Sequence, residues 1–167
     1  MRGPAAAAYA LAVKRILLTG MSGTGKSTLI GELRARGYRA VDADDLSEYR
    51  AVDGAREWVW REDAIRELLE CDDGGSLFLS GCASNQGAFY PQFDHIVLLT
   101  APADVMLERV RSRTTNPYGQ RPEEVDEILE NKRNIEPLLR RSATLELDTR
   151  APVEKLVGAL VALLEAG

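Results

Sequence analysis

Apolar residues along this chain alternate between short continuous runs and longer stretches with helical spacing. Ile16-Leu17-Leu18 sits in an apolar run that Gly20 closes, the pattern of a strand buried on both faces, and it predicts a strand over 15–20. Leu29, Ile30 and Leu33 share one side of a helix predicted over 27–36, which Gly37 stops. A second short strand is predicted over 38–41. Trp58, Ile65, Leu68 and Leu69 recur at helical intervals and predict an amphipathic helix over 57–70, followed by an Asp-Asp-Gly-Gly turn at 72–75. Strands are predicted over 76–80 and 95–99, and a helix over 102–113. The polar stretch 114–122 contains Asn116-Pro117-Tyr118-Gly119, a strong turn signal. Residues 123–141 read as mostly helical, 144–148 as a strand with period-two alternation, and 152–165 as a closing amphipathic helix.

This alternation predicts an α/β fold: three α/β/α layers around a five-stranded parallel sheet. Ligands in such sheets bind beyond the carboxyl ends of the strands. Three turns fall there: the glycine-rich turn after the first strand, the acidic turn at Asp42 and the small-residue turn at Gly81. Residues 15–167 are expected to form one domain, with 1–14 a frayed extension whose alanines only faintly suggest a signal peptide.

Composition narrows the partners. The 167 residues include 21 Lys plus Arg and 26 Asp plus Glu, a formal net charge of −5. That argues against a general nucleic-acid binder. No apolar run approaches the roughly 20 residues of a membrane span. The two cysteines, Cys71 and Cys82, make no disulfide framework and read as reduced thiols of a cytoplasmic protein. A monomer or homodimer acting on a small molecule, with neither nucleic acid nor membrane as partner, is the expectation.

The turn after the first strand reads Gly20-Met21-Ser22-Gly23-Thr24-Gly25-Lys26-Ser27-Thr28. It satisfies G-x-x-x-x-G-K-[ST], the Walker A or P-loop pattern, between an apolar strand and a helix start. Its glycines let backbone N–H groups turn inward around phosphates, and the next helix aims its positive end at them. Gly20, Ser22, Gly23, Thr24, Gly25 and Thr28 belong to this cradle. Lys26 is expected to reach the outer phosphates, and Ser27 to bind Mg²⁺. A guanine-nucleotide switch needs Asn-Lys-x-Asp, and Asn131-Lys132-Arg133-Asn134 lacks the aspartate. The strand before Gly81 ends in serine rather than in the acidic pair of mechanical ATPases.

Over roughly residues 15–164 the chain resembles the small kinases of the nucleoside monophosphate kinase superfamily, shikimate kinase and gluconate kinase above all. That resemblance implies ATP, Mg²⁺ and a mobile lid over about 114–122. Asp42-Ala43-Asp44 is similar to the Asp-x-Asp of shikimate kinase, which implies that Asp42 supports the metal and Asp44 grips or deprotonates the acceptor hydroxyl. A carboxylate there makes chemical sense, because the hydroxyl must be aimed in line at the γ-phosphorus and lose its proton. Trp60-Arg61 resembles an aromatic-Arg pair whose arginine binds substrate, and Arg56-Glu57-Trp58 a gluconate kinase segment. Arg113 and Arg121-Pro122 fit the adenine-stacking and lid arginines. Arg121 would neutralise charge on the transferred group and help exclude water. Arg133 resembles a late substrate arginine.

The segment Gly81-Cys82-Ala83-Ser84-Asn85-Gln86 matches neither kinase. Its small residues would let a substrate approach the backbone, and its amides suit hydroxyls or a ring. Gly81, Cys82, Asn85 and Gln86 are therefore expected in the acceptor site. His95, at a strand entry, reads as structural. The expected activity is transfer of the γ-phosphoryl group of ATP to a small-molecule hydroxyl. The alternatives are a nucleoside monophosphate kinase and a nucleotide-binding regulatory P-loop protein with little turnover.

Overall fold

The computed structural model describes residues 13–71, 75–114 and 116–165. Most of the predicted extension and of the turn at 72–75 lies outside the described residues. In chain order the first half contains β1 (Arg15–Thr19), α1 (Lys26–Ala35), β2 (Arg39–Asp42), β3 (Ser47–Val52), β4 (Ala55–Trp60), α2 (Glu62–Glu70) and β5 (Leu77–Ser80). The second half contains β6 (His95–Thr100), α3 (Ala103–Ser112), α4 (Pro122–Asn134), α5 (Glu136–Ser142), β7 (Leu145–Asp148) and α6 (Val153–Glu165).

Five strands form one parallel sheet in the order β2-β5-β1-β6-β7. β1 is central, with Leu17 in register with Leu79 on one side and Ile96 on the other. Its continuous apolar sequence follows from that position, because both faces are covered. Ile16 and Leu18 point to a core built with Leu29, Ile30 and Leu33 of α1 and Leu156, Val157 and Leu160 of α6. Leu17 points the other way, into a core with Ile65 and Leu69 of α2 and with Trp60. Met106 and Val110 of α3 and Ile128 of α4 extend that second layer over Leu98. β7, at the sheet edge, alternates half-buried Leu145 and Leu147 with exposed Glu146 and Asp148, as its period-two pattern predicts.

Two predicted elements are corrected. Residues 57–60 are not helical. They form the second strand of an antiparallel hairpin, β3 with β4, which pairs Tyr49 with Trp58 and Val52 with Ala55. The two-residue turn is Asp53-Gly54, with φ of 51° and 82°, the backbone that Asp-Gly supplies in a tight hairpin. Trp58, Val59 and Trp60 suit a pleated surface, and the helix begins only at Glu62. The helix expected over 123–141 is two, divided at Ile135. Pro137 has no N–H to continue the first helix and instead occupies the first turn of the second.

Candidate phosphate and acceptor site

The strand–loop–helix unit from β1 to α1 makes the phosphate loop. Gly25 is the N-cap of α1 with φ of 99°. Gly23 has φ of 83°, and a Cβ built on it would stand 2.5 Å from the Met106 carbonyl oxygen. Only glycine lets α3 pack this closely on the loop. The Thr24 hydroxyl donates to the Met21 carbonyl at 2.7 Å, which braces the turn from inside. The Lys26 ammonium donates to the carbonyls of Gly20 at 2.7 Å and Met21 at 3.0 Å, curling back over the loop. Burial pushes its pKa down, while Cys82, Asp44 and Asp42 pull it back. Ser27 and Thr28 lie exposed in the first turn of α1, where the helix presents free N–H groups to an anion.

A cavity of about 560 Å³ opens over this loop. Ser22, Gly23, Gly25, Lys26, Ser27 and Thr28 form its floor; Asp44, Arg109, Arg113 and Thr149 stand around it. The Ser27 hydroxyl donates to Asp42 Oδ2 at 3.3 Å, so the ends of β1 and β2 bring a hydroxyl and a carboxylate together. Such hard oxygen donors suit Mg²⁺, which keeps most of its shell as water and phosphate oxygen. Among the described residues no group of three or more His, Cys, Asp or Glu side chains gathers to hold a metal. The protein's share of a Mg²⁺ shell would therefore be Ser27 and Asp42.

Asp42 also accepts the Asp44 N–H on Oδ1 at 2.9 Å, capping the 3₁₀ turn Ala43–Leu46 and aiming Asp44. Trp58 of the hairpin donates its indole N–H to Asp44 Oδ1 at 3.4 Å. Burial raises the Asp44 pKa, and the neighbouring Asp42 charge raises it further against the pull of Lys26.

A model of the AAA domain matches residues 16–130, from the first strand through most of α4. The chain belongs to the AAA domain family. No curated protein matches it in sequence. Among solved structures it is similar to a shikimate kinase from Acinetobacter baumannii in complex with shikimate, at 17% identity and TM-score 0.66, covering 92% of this chain and 94% of that one. A shikimate kinase from Bacteroides thetaiotaomicron is 23% identical at TM-score 0.67, with 93% and 100% covered. A gluconokinase from Sinorhizobium meliloti is 19% identical at TM-score 0.53, with 91% of each chain covered. The fold of this AAA domain is thus the P-loop fold those kinases share.

Not every residue expected in the site reaches the cavity. Asn85 spends its amide on Trp60, accepting its N–H at 2.9 Å and donating to its carbonyl at 3.0 Å. Gln86 is buried; it accepts from the Ala83 N–H and donates to the Thr19 hydroxyl and the Tyr90 hydroxyl. Both amides lock the loop after β5 to its surroundings. Gly81 leaves room for Trp60, whose indole nitrogen would lie 3.0 Å from a Cβ at that position. Cys82 is half-buried beside the phosphate loop; burial raises its thiol pKa against the pull of Lys26. Arg61 is exposed and donates to the Asp45 carbonyl at 3.2 Å. Arg56 lies over the Tyr49 ring at 4.1 Å. Arg133 is exposed on α4, and Arg121 is exposed at its N-cap. His95 begins β6 in register with Ile16.

One residue at this AAA domain's cavity, Arg109, was given no role in the sequence. Arg109 donates to the Thr149 hydroxyl and carbonyl, both at 2.8 Å, and ties α3 to the loop after β7 at the cavity wall. Helical spacing places Arg109 one turn before Arg113, on the same face, a signal that was available. Thr149 falls in the segment 148–152, which the resemblance puts beside the adenine, and Trp58 in the segment 56–58; tertiary packing gives each its partner. Arg113 donates to the carbonyls of Asn116 at 3.1 Å and Tyr118 at 2.6 Å, and so shapes the loop leading to α4 from the cavity side.

Proposed function

We propose that this chain is an ATP- and Mg²⁺-dependent kinase that transfers the γ-phosphoryl group to a hydroxyl of a small molecule. The reading rests on one observation: Asp44 stands at the wall of the cavity whose floor is the phosphate loop and Lys26. A phosphate-binding loop alone serves many proteins. A carboxylate held at its mouth by Asp42 and Trp58, with its pKa raised, suits the removal of a proton from an alcohol.

In this mechanism Lys26 and the loop N–H groups hold the phosphate chain of ATP. Ser27 and Asp42 would hold Mg²⁺, which would neutralise charge on the phosphate oxygens. The acceptor oxygen forms its bond to the γ-phosphorus as the bond to the β,γ-bridging oxygen breaks. The acceptor's proton passes to Asp44 and then to solvent, and ADP departs. Arg113 faces the cavity, where charge develops on the transferred group; Arg121 would join only if the loop over about 114–122 closes as a lid.

The test is ATP turnover with Mg²⁺ across nucleosides, nucleoside monophosphates, sugar acids, polyols and shikimate-like acids, against a control without acceptor. One chemical group is expected to stimulate turnover. In Asp44→Asn that stimulation is expected to fall at least about 10²-fold while ATP still binds. Turnover indifferent to both acceptor and Asp44 would refute the reading in favour of a regulatory nucleotide-binding protein.

A further inference from the structure

We infer that Trp58 and Tyr49 form the acceptor-binding wall of this site, and that the acceptor is an uncharged alcohol bearing a flat ring. The inference rests on the kinase reading of Asp44 and adds the substrate class.

The hairpin brings the wall to the carboxylate. Trp58 is half-buried and bonds Asp44 through its indole N–H, so its ring lies beside the group that takes the acceptor's proton. Tyr49, opposite Trp58 in the hairpin register, packs against it edge to face with ring centroids 4.8 Å apart. Tyr49 is 54% exposed, one of two large hydrophobic side chains left open among the described residues. The hairpin is itself tied to the loop after β5: the Ser84 N–H donates to the Trp58 carbonyl at 3.1 Å, and the Ser84 hydroxyl to Glu57 at 2.9 Å. An aromatic surface beside a polar reacting atom suits a ring that lies on it and presents a hydroxyl at its edge.

The charge balance favours an uncharged acceptor over an anionic one. An acid or phosphate ester needs a cation to meet it. The arginines on this side have other partners, Arg50 with Glu48 at 2.5 Å, Arg56 on the Tyr49 ring and Arg61 with the Asp45 carbonyl, and all three stand at the exposed surface. Lys26 and Arg113 line the phosphate cavity. The carboxylates Asp42, Asp44 and Asp45 crowd the same corner, where another anion would be repelled.

The experiment is calorimetric binding to the full chain saturated with a non-hydrolysable ATP analogue and Mg²⁺. The probes are uncharged nucleosides against shikimate, gluconate and nucleoside monophosphates. At least one nucleoside is expected to bind more tightly than every anionic probe. Tyr49→Ala, a surface change, is expected to weaken that binding about tenfold. In a turnover assay with ATP itself, Trp58→Phe, which keeps an aromatic ring and loses the N–H, is expected to lower kcat more than it raises KM. Tighter binding of an anionic probe overturns the inference, as does no nucleoside binding or unchanged affinity in Tyr49→Ala. Nucleoside binding without ADP formation would instead overturn the kinase reading.

Discussion

Asp44 shows how one side chain acquires chemistry from its surroundings. Its pKa is raised by burial first and by Asp42 second. The carboxylate is the form that takes a proton, so transfer is expected to fall as pH drops through a pKa above the usual carboxylate range. A pH profile of kcat checks this, and Asp44→Asn should abolish that limb. The same shift has a stability consequence. A carboxyl with a raised folded pKa favours folding below its unfolded pKa and loses that contribution as pH rises through the folded one. Asp44 is only partly withdrawn from solvent, so Asp44→Asn is expected to raise Tm only slightly at pH 8, with the gain vanishing near pH 3. At Gly23 the constraint is steric: φ of 83° and the Met106 carbonyl 2.5 Å from a Cβ leave no place for a side chain. Gly23→Ala is expected to cost at least about 2 kcal/mol by thermal unfolding and to abolish ATP binding. The loop glycines were legible in the sequence because their motif is local. Asn85 and Gln86 were legible as polar residues near the site, but not as side chains already engaged by backbone and hydroxyl partners.

Among the elements, the β3–β4 hairpin brings Trp58 to Asp44 and was the one the periodicity missed. Trp58, Ile65, Leu68 and Leu69 do share a helical spacing, but that spacing spans a strand and a helix. Asp53-Gly54 was the available local signal for the turn. The hairpin's far end is held by the two Asn85 bonds to Trp60. Asn85→Ala is expected to cost about 1–3 kcal/mol, since it leaves buried backbone groups unpaired. Hydrogen exchange should show the loss at 58–60 before it reaches β1. The break between α4 and α5 has a plainer cause, because a proline at 137 ends the hydrogen-bond ladder.

Across the whole molecule, the parallel sheet places the ends of β1, β2 and β5 side by side, and the cavity follows from that topology. Away from the cavity, a buried brace joins the second half of the molecule. Glu136 is buried and accepts from Lys132 at 3.1 Å and Arg140 at 3.0 Å. It also accepts from Thr100, and Lys132 reaches the Ala101 carbonyl, so α4, α5 and the end of β6 are joined. Glu136→Ala is expected to destabilise the fold by about 1–3 kcal/mol, less than a fully buried ion pair would cost, because both cations reach water. Thermal unfolding measures this.

By itself the sequence determined the five strands of the parallel sheet, the phosphate loop, the acidic turn after β2 and the α/β class. Each of these is written in contiguous residues, through apolar runs, glycine spacing and helix stops. Only the tertiary structure decided that Trp58 bonds Asp44, that Thr149 meets Arg109, and that Asn85 holds Trp60. Those pairs lie 14, 40 and 25 residues apart. Local propensity carries no information about partners brought together by sheet order and by a hairpin folded over the strand ends.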